Sequence, residues 1–190
     1  MRRNTSIRFC APLFVLLVCQ SFALAATSAS ATISSQQLGP NSYEYSLLLN
    51  NTGTTPISTF WFAWEPFYDY LPSNPSSAAG PSGWTGSPVA DGFYGGYSVE
   101  WTTTTSPLAA GASLSGFRFD TSDPPSVING ISPQFPFHPV ESSWVYQGAS
   151  QADAGYHFNT TAAVPEPSLA LLLPLSLLFC RRRSLKSSAI

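Results

Sequence analysis

The sequence predicts an all-β chain: one sandwich of short strands set between two apolar end segments. Three observations carry that prediction. In the middle of the chain apolar residues recur with a period of two, as in a strand with one buried face. Gly (13) and Pro (17) punctuate the 190 residues at spacings fit for turns. No stretch of the middle carries the i, i+3, i+4, i+7 stripe of an amphipathic helix. Aromatic residues make up 14% and charged residues only 9%, and that aromatic load argues against plain disorder.

The elements follow in order. Residues 1–25 read as a secretory signal. Arg2, Arg3 and Arg8 give a positive start, an apolar stretch runs from Phe9 to Ala25, and Ala23-Leu24-Ala25 supplies the small-x-small cleavage pattern. The implied partner is signal peptidase, cutting after Ala25.

The sandwich is expected over 31–160. Tyr43, Tyr45, Leu47 and Leu49 share one face, with Glu44 and Ser46 on the other. Asn50-Asn51-Thr52-Gly53 is a turn cluster. Ile57–Trp64 is apolar on both faces, Ile57 and Trp61 against Phe60, Phe62 and Trp64, as for a central strand. Tyr97, Val99 and Trp101 alternate with Ser98 and Glu100, and Phe117 and Phe119 flank an outward Arg118. Trp144–Tyr146 and Tyr156–Phe158 close a series of six to eight strands. Two connections, 65–95 and 120–140, are read as long loops and therefore as the places to look for a binding site.

Residues 164–186 form the last element. Val164, Pro165, Glu166, Pro167 and Ser168 precede a Leu-rich run of about 12 residues, roughly 18 Å as a helix against a membrane core of about 30 Å. Arg181, Arg182 and Arg183 follow, and by the positive-inside rule they stay on the cytoplasmic side.

Charge is segregated to match. Between residues 26 and 165 nine acids face one base, Arg118, a net of about −8. Nucleic-acid binding is excluded, because it depends on clustered Lys and Arg. Cys10 and Cys19 fall in the leader and Cys180 in the tail, so the middle has neither a disulfide framework nor a thiolate metal site.

The Pro165-Glu166-Pro167 motif, short apolar helix and terminal Arg cluster, behind a signal peptide, resemble the PEP-CTERM sorting signal of bacteria. The resemblance implies an exosortase-like intramembrane enzyme as partner and transient residence in the inner membrane. Delivery to the cell envelope or extracellular matrix would follow, with exopolysaccharide as a further partner. The layout of the middle is similar to immunoglobulin-like domains of secreted bacterial proteins, so the expected fold is a single immunoglobulin-like or jelly-roll-like β-sandwich.

Catalytic patterns are missing. Gly111-Ala112-Ser113-Leu114-Ser115 lacks the final Gly of a nucleophile elbow, and His138 and His157 read as a loop and a strand residue. No pair of carboxylates is flagged by spacing. Asp120 and Asp123 are weak calcium candidates, more simply turn-forming residues. No cofactor is expected. The loop aromatics Tyr68, Tyr70, Trp84 and Tyr94 are candidates for stacking on sugar rings, while Trp61, Trp64 and Trp101 are expected in the core. The leading expectation is a non-enzymatic, exported envelope protein of structural or adhesive type. The alternative is a carbohydrate-binding module that uses the aromatic 65–95 segment.

Overall fold

A computed structural model of the chain describes residues 25–90, 95–148 and 155–163. Among these it has twelve strands and one helical turn. The strands are β1 (Ala29–Gly39), β2 (Ser42–Asn51), β3 (Thr59–Phe62), β4 (Trp64–Glu65), β5 (Tyr68–Asp69), β6 (Ser77–Ala79), β7 (Thr85–Ala90), β8 (Tyr97–Thr102), β9 (Ser113–Thr121), β10 (Ser142–Tyr146), β11 (Tyr156–Asn159) and β12 (Thr161–Ala162). The turn is α1 (Pro125–Ile128). Sheet I runs β12-β1-β2-β9-β6 and sheet II runs β11-β10-β3-β8-β7, with β4-β5 as a small separate ladder. The expected all-β sandwich is present.

The shared core is built as the period of two requires. Tyr45, Leu47 and Leu49 of β2 and Phe117 and Phe119 of β9 meet Phe60 and Phe62 of β3 and Val99 and Trp101 of β8. Rings interlock across the gap: Phe60 meets Phe117 edge-on at 5.4 Å, and Phe62 meets Phe119 at 5.3 Å. Arg118 points outward to Glu44 at 3.8 Å. A bulge keeps this alternation in step. The β2–β9 register slips between Leu47 and Leu48, and Gly116, at φ +102°, is the extra residue.

Several strands carry no large alternating residues. The inward residues of β1 are Ala29, Ala31 and Ile33, too small to announce a buried face, yet β1 pairs with β2 along nearly its whole length. The connection 65–95 is not one long loop: it contains β5, β6 and β7. Both β6 and β7 are edge strands, and β7 holds Pro88 and Gly86, which an edge tolerates and a central strand does not. In the 120–140 connection, α1 and Val140 close one end of the sandwich, with Ile128 and Val140 fully buried.

Two inward–outward assignments change. Ile57 lies in the main core instead of sharing a face with Trp61, because the chain breaks from β3 geometry before Thr59 and Ile57 bridges Leu108. Trp64 lies on the Trp61 side instead of beside Phe60 and Phe62. Ala63 is inserted at φ +57° between β3 and β4 and inverts the alternation.

No helix among the described residues is long and apolar enough to cross a membrane. The apolar tail helix expected within 164–186 lies outside the described residues.

Candidate functional site

The outer face of sheet II is unusually aromatic. One register row crosses it: His157 on β11, Trp144 on β10, Trp61 on β3, Glu100 on β8 and Ser87 on β7. Because Ala63 turns the chain over, Trp64 folds onto this row and stacks on Trp61 at 4.6 Å, with Trp144 edge-on to it at 6.1 Å. With Tyr146 these rings form a second apolar cluster outside the main core. Burial in this cluster pushes the Tyr146 phenol up to about 12, with the Glu100 carboxylate adding to the shift, and burial raises Glu100 itself.

The same inversion aims Glu65. Its Oε1 lies 3.1 Å from His157 Nε2 and accepts a hydrogen bond from Ser142 Oγ at 3.2 Å, while its Oε2 lies 3.9 Å from His138 Nδ1. The chain has two histidines, and both converge on this carboxylate. His138 Nδ1 is also 3.0 Å from the Tyr70 hydroxyl, and its ring lies along those of Tyr70 and Tyr68 at 5.3 and 6.2 Å. On the other side His157 rests on Trp144 at 5.7 Å. A continuous strip therefore runs Tyr68–His138–Glu65–His157–Trp144, with Trp64 and Trp61 beneath its far end. Both imidazoles are open to solvent, at 45% and 41% exposure, and Glu65 is the more sheltered at 25%.

Beside the strip stand two exposed rings. Phe67 precedes Tyr68 and is 81% exposed; Phe137 precedes His138 and is 93% exposed. Both have positive φ, +79° and +84°. That conformation costs a bulky residue roughly 1–3 kcal/mol, and projecting a phenyl ring into water forgoes about 1.5–3 kcal/mol of burial. Folding alone rewards neither.

Ser142 donates to the Glu65 carboxylate and not to an imidazole, which helps hold that carboxylate between the two histidines. No group of three His, Cys, Asp or Glu among the described residues is arranged to hold a metal ion.

The residues singled out from sequence are placed as follows. Tyr68 is partly exposed at the strip. Tyr70 is fully buried, with its phenol raised by burial and by the Glu65 carboxylate, so it supports His138 from behind and offers no face to a ligand. Trp84 is buried against Phe117 at 5.2 Å and donates through Nε1 to the Ser106 carbonyl, so it plugs the sandwich. Tyr94 lies outside the described residues. Asp123 is buried and takes both Ser73 N–H and Ser73 Oγ, and Asp120 takes Ser77 Oγ. Their carboxylates thus brace turns and strand edges instead of facing a common cation. Trp101 is in the main core as expected, whereas Trp61 and Trp64 are buried on the outer face. Ala25 is exposed; Ala23, Val164–Ser168 and Arg181–Arg183 lie outside the described residues. Glu65, His138, His157, Phe67 and Phe137 gave no sequence signal as a group, because nothing in their spacing foretells contact.

No family model and no curated protein matches the chain. Among solved structures it is similar to a GH20 exo-β-N-acetylglucosaminidase from Vibrio harveyi, at 7% identity and TM-score 0.41, over 71% of this chain and 18% of that one. It is also similar to a family IIIa CBD from Clostridium cellulolyticum (13% identity, TM-score 0.36, 71% and 97% covered). A CBM3 of Hungateiclostridium clariflavum aligns at 11% identity and TM-score 0.34, with 70% and 88% covered. The chain thus spans less than a fifth of the Vibrio enzyme's length. Likenesses of this size leave function to the chain's own geometry.

Proposed function

We propose that this chain is an exported, non-catalytic β-sandwich that binds glycan along the Tyr68–His138–Glu65–His157–Trp144 strip. The observation that carries the reading is the pair of exposed, strained rings, Phe67 and Phe137, each the chain neighbour of a ring in the strip. Sugar recognition needs apolar ring faces for the C–H face of a pyranose and fixed polar groups for its hydroxyls. Phe67, Phe137 and Tyr68 supply the first. Glu65 and the solvent-exposed imidazoles of His138 and His157 supply the second. The test is retention of the chain on a panel of polysaccharides, wild type against the Phe67→Ala/Phe137→Ala pair. Loss of retention with unchanged unfolding is the expected result; equal retention, or a folded wild type that binds no glycan, overturns the reading.

Export rests on residues 1–25 and 164–186. Cleavage after Ala25 leaves β1 whole, with Ala29 and Ala31 kept in the core, which supports that site. A PEP-CTERM-like tail would hold the protein at the inner membrane until an exosortase-like enzyme acts, and the sandwich would then serve in the envelope or matrix. Deleting Val164–Ile190 should move the protein to the periplasm or medium; unchanged membrane retention would count against the tail's role.

A further inference from the structure

The distribution of positive charge narrows the ligand class. Among the described residues Arg118 is the sole permanently charged base, and it is spent on Glu44 on the outer face of sheet I. The only other side chains there that can become cationic are those of His138 and His157, and both lie at the strip, on either oxygen of Glu65. The charged and titratable groups that face them can be named element by element: Glu65 from β4, Tyr68 from β5, and Tyr70 just after it. From β10, Trp144 and Ser142 contact the cluster without charge, and Glu141, just before that strand, gives its carbonyl to Thr160. With both imidazoles neutral the cluster carries −1 and repels an anion, as does the rest of this acidic domain. With both protonated it carries +1, and among the described side chains Arg118 is the only other cation.

On the reading that the strip binds glycan, we propose that its ligand is an acidic glycan bearing carboxylates, such as a polyuronate, and that capture is gated by acid through His138 and His157. Histidine is the side chain that changes charge between pH 5 and 8, whereas a uronate stays ionised over that range. Each imidazolium gives a carboxylate two things at once, an N–H donor and a charge, and charge-assisted hydrogen bonds are about twice as strong as neutral ones. Two added charges about 6 Å from a bound carboxylate in water-like surroundings amount to about a tenfold change in affinity. Glu65 keeps both rings oriented in either state and prevents the neutral site from holding the anion.

The experiment is titration calorimetry of the chain with an oligogalacturonate and with a neutral gluco-oligosaccharide of equal length, at pH 5.5 and 7.5. Near-UV circular dichroism verifies the fold at both. The expected result is about tenfold tighter uronate binding at pH 5.5, no such change for the neutral sugar, and loss of the enhancement in His138→Gln/His157→Gln. If both sugars bind with the same pH profile, acid gating is overturned while glycan binding stands. If uronate binding strengthens with acid equally in the double variant, the histidines are not the gate and the proposal fails. If neither sugar binds a folded chain at either pH, the glycan reading falls with it.

Discussion

The outer faces of the two sheets differ more than their inner ones. Both inner faces are aromatic and aliphatic and meet in one core. Outside, sheet I presents short polar side chains, with Thr32, Ser34, Ser46 and Ser115 lining a shallow open hollow of about 320 Å³ around Leu48. Over sheet II lie four large rings, its own Trp61, Trp144 and Tyr146 and Trp64 from β4, packed on one another. A sandwich needs only one buried face per sheet. Sheet I meets that minimum; sheet II carries a second apolar layer that the shared core does not require. The excess lies beside Glu65, the two histidines and the exposed phenyl rings. A surface built beyond the needs of folding is where function is to be sought.

The comparison can be broken, or sharpened, by measurement. The largest effect expected is on stability. Trp101→Ala opens the shared core and removes the indole bond to the Ala79 carbonyl, and should cost about 3–5 kcal/mol in denaturant unfolding. Trp61→Ala should cost nearly as much, about 3 kcal/mol, if the outer cluster is a true second core. A cost under about 1 kcal/mol would reduce that cluster to decoration.

Next comes binding. Phe67→Ala and Phe137→Ala should each weaken glycan affinity about tenfold, read by affinity electrophoresis. Phe137→Gly should at the same time stabilise the fold by about 1 kcal/mol, since glycine adopts φ +84° without strain. A destabilised Phe137→Gly would mean that the ring packs for folding, and the functional reading of its exposure would go.

A smaller effect concerns pH. The folded chain holds the Tyr146 proton up to about 12, whereas the unfolded chain releases it near the ordinary value of 10. The contribution is therefore fully present below pH 10 and is lost as pH climbs towards 12, a loss of roughly 1–2 kcal/mol after allowance for solvent screening. Unfolding midpoints at pH 9 and 11.5 should differ less in Tyr146→Phe than in the wild type. The fall will not vanish, because burial also raises Tyr45 and Tyr70. The smallest effect is expected on sheet I: Ser46→Ala and Ser115→Ala should stay within about 0.5 kcal/mol and leave glycan retention unchanged. A loss of binding there would move the functional face to the other side of the molecule.

What the sequence determined alone was whatever rests on local alternation. β2, β8, β9, β10 and β11 were legible because Tyr, Leu, Trp and Phe recur at every second position, and their pattern needs no partner to be read. β1 escaped because its inward residues are mostly alanines, and β6 and β7 because Pro and Gly at a sheet edge look like loop. Tertiary structure decided the rest. One left-handed alanine reversed the face of Trp64 and aimed Glu65, which no periodicity count anticipates. Glu65, His138 and His157 lie far apart in the chain and meet only because folding brings the end of β4, the turn before Val140 and β11 together. Tyr70 and Trp84, equally aromatic and equally placed among prolines and glycines, went inward. Alternation is a property of neighbours in sequence; burial and contact are set by which strands pair, and that is decided only when the whole chain closes its core.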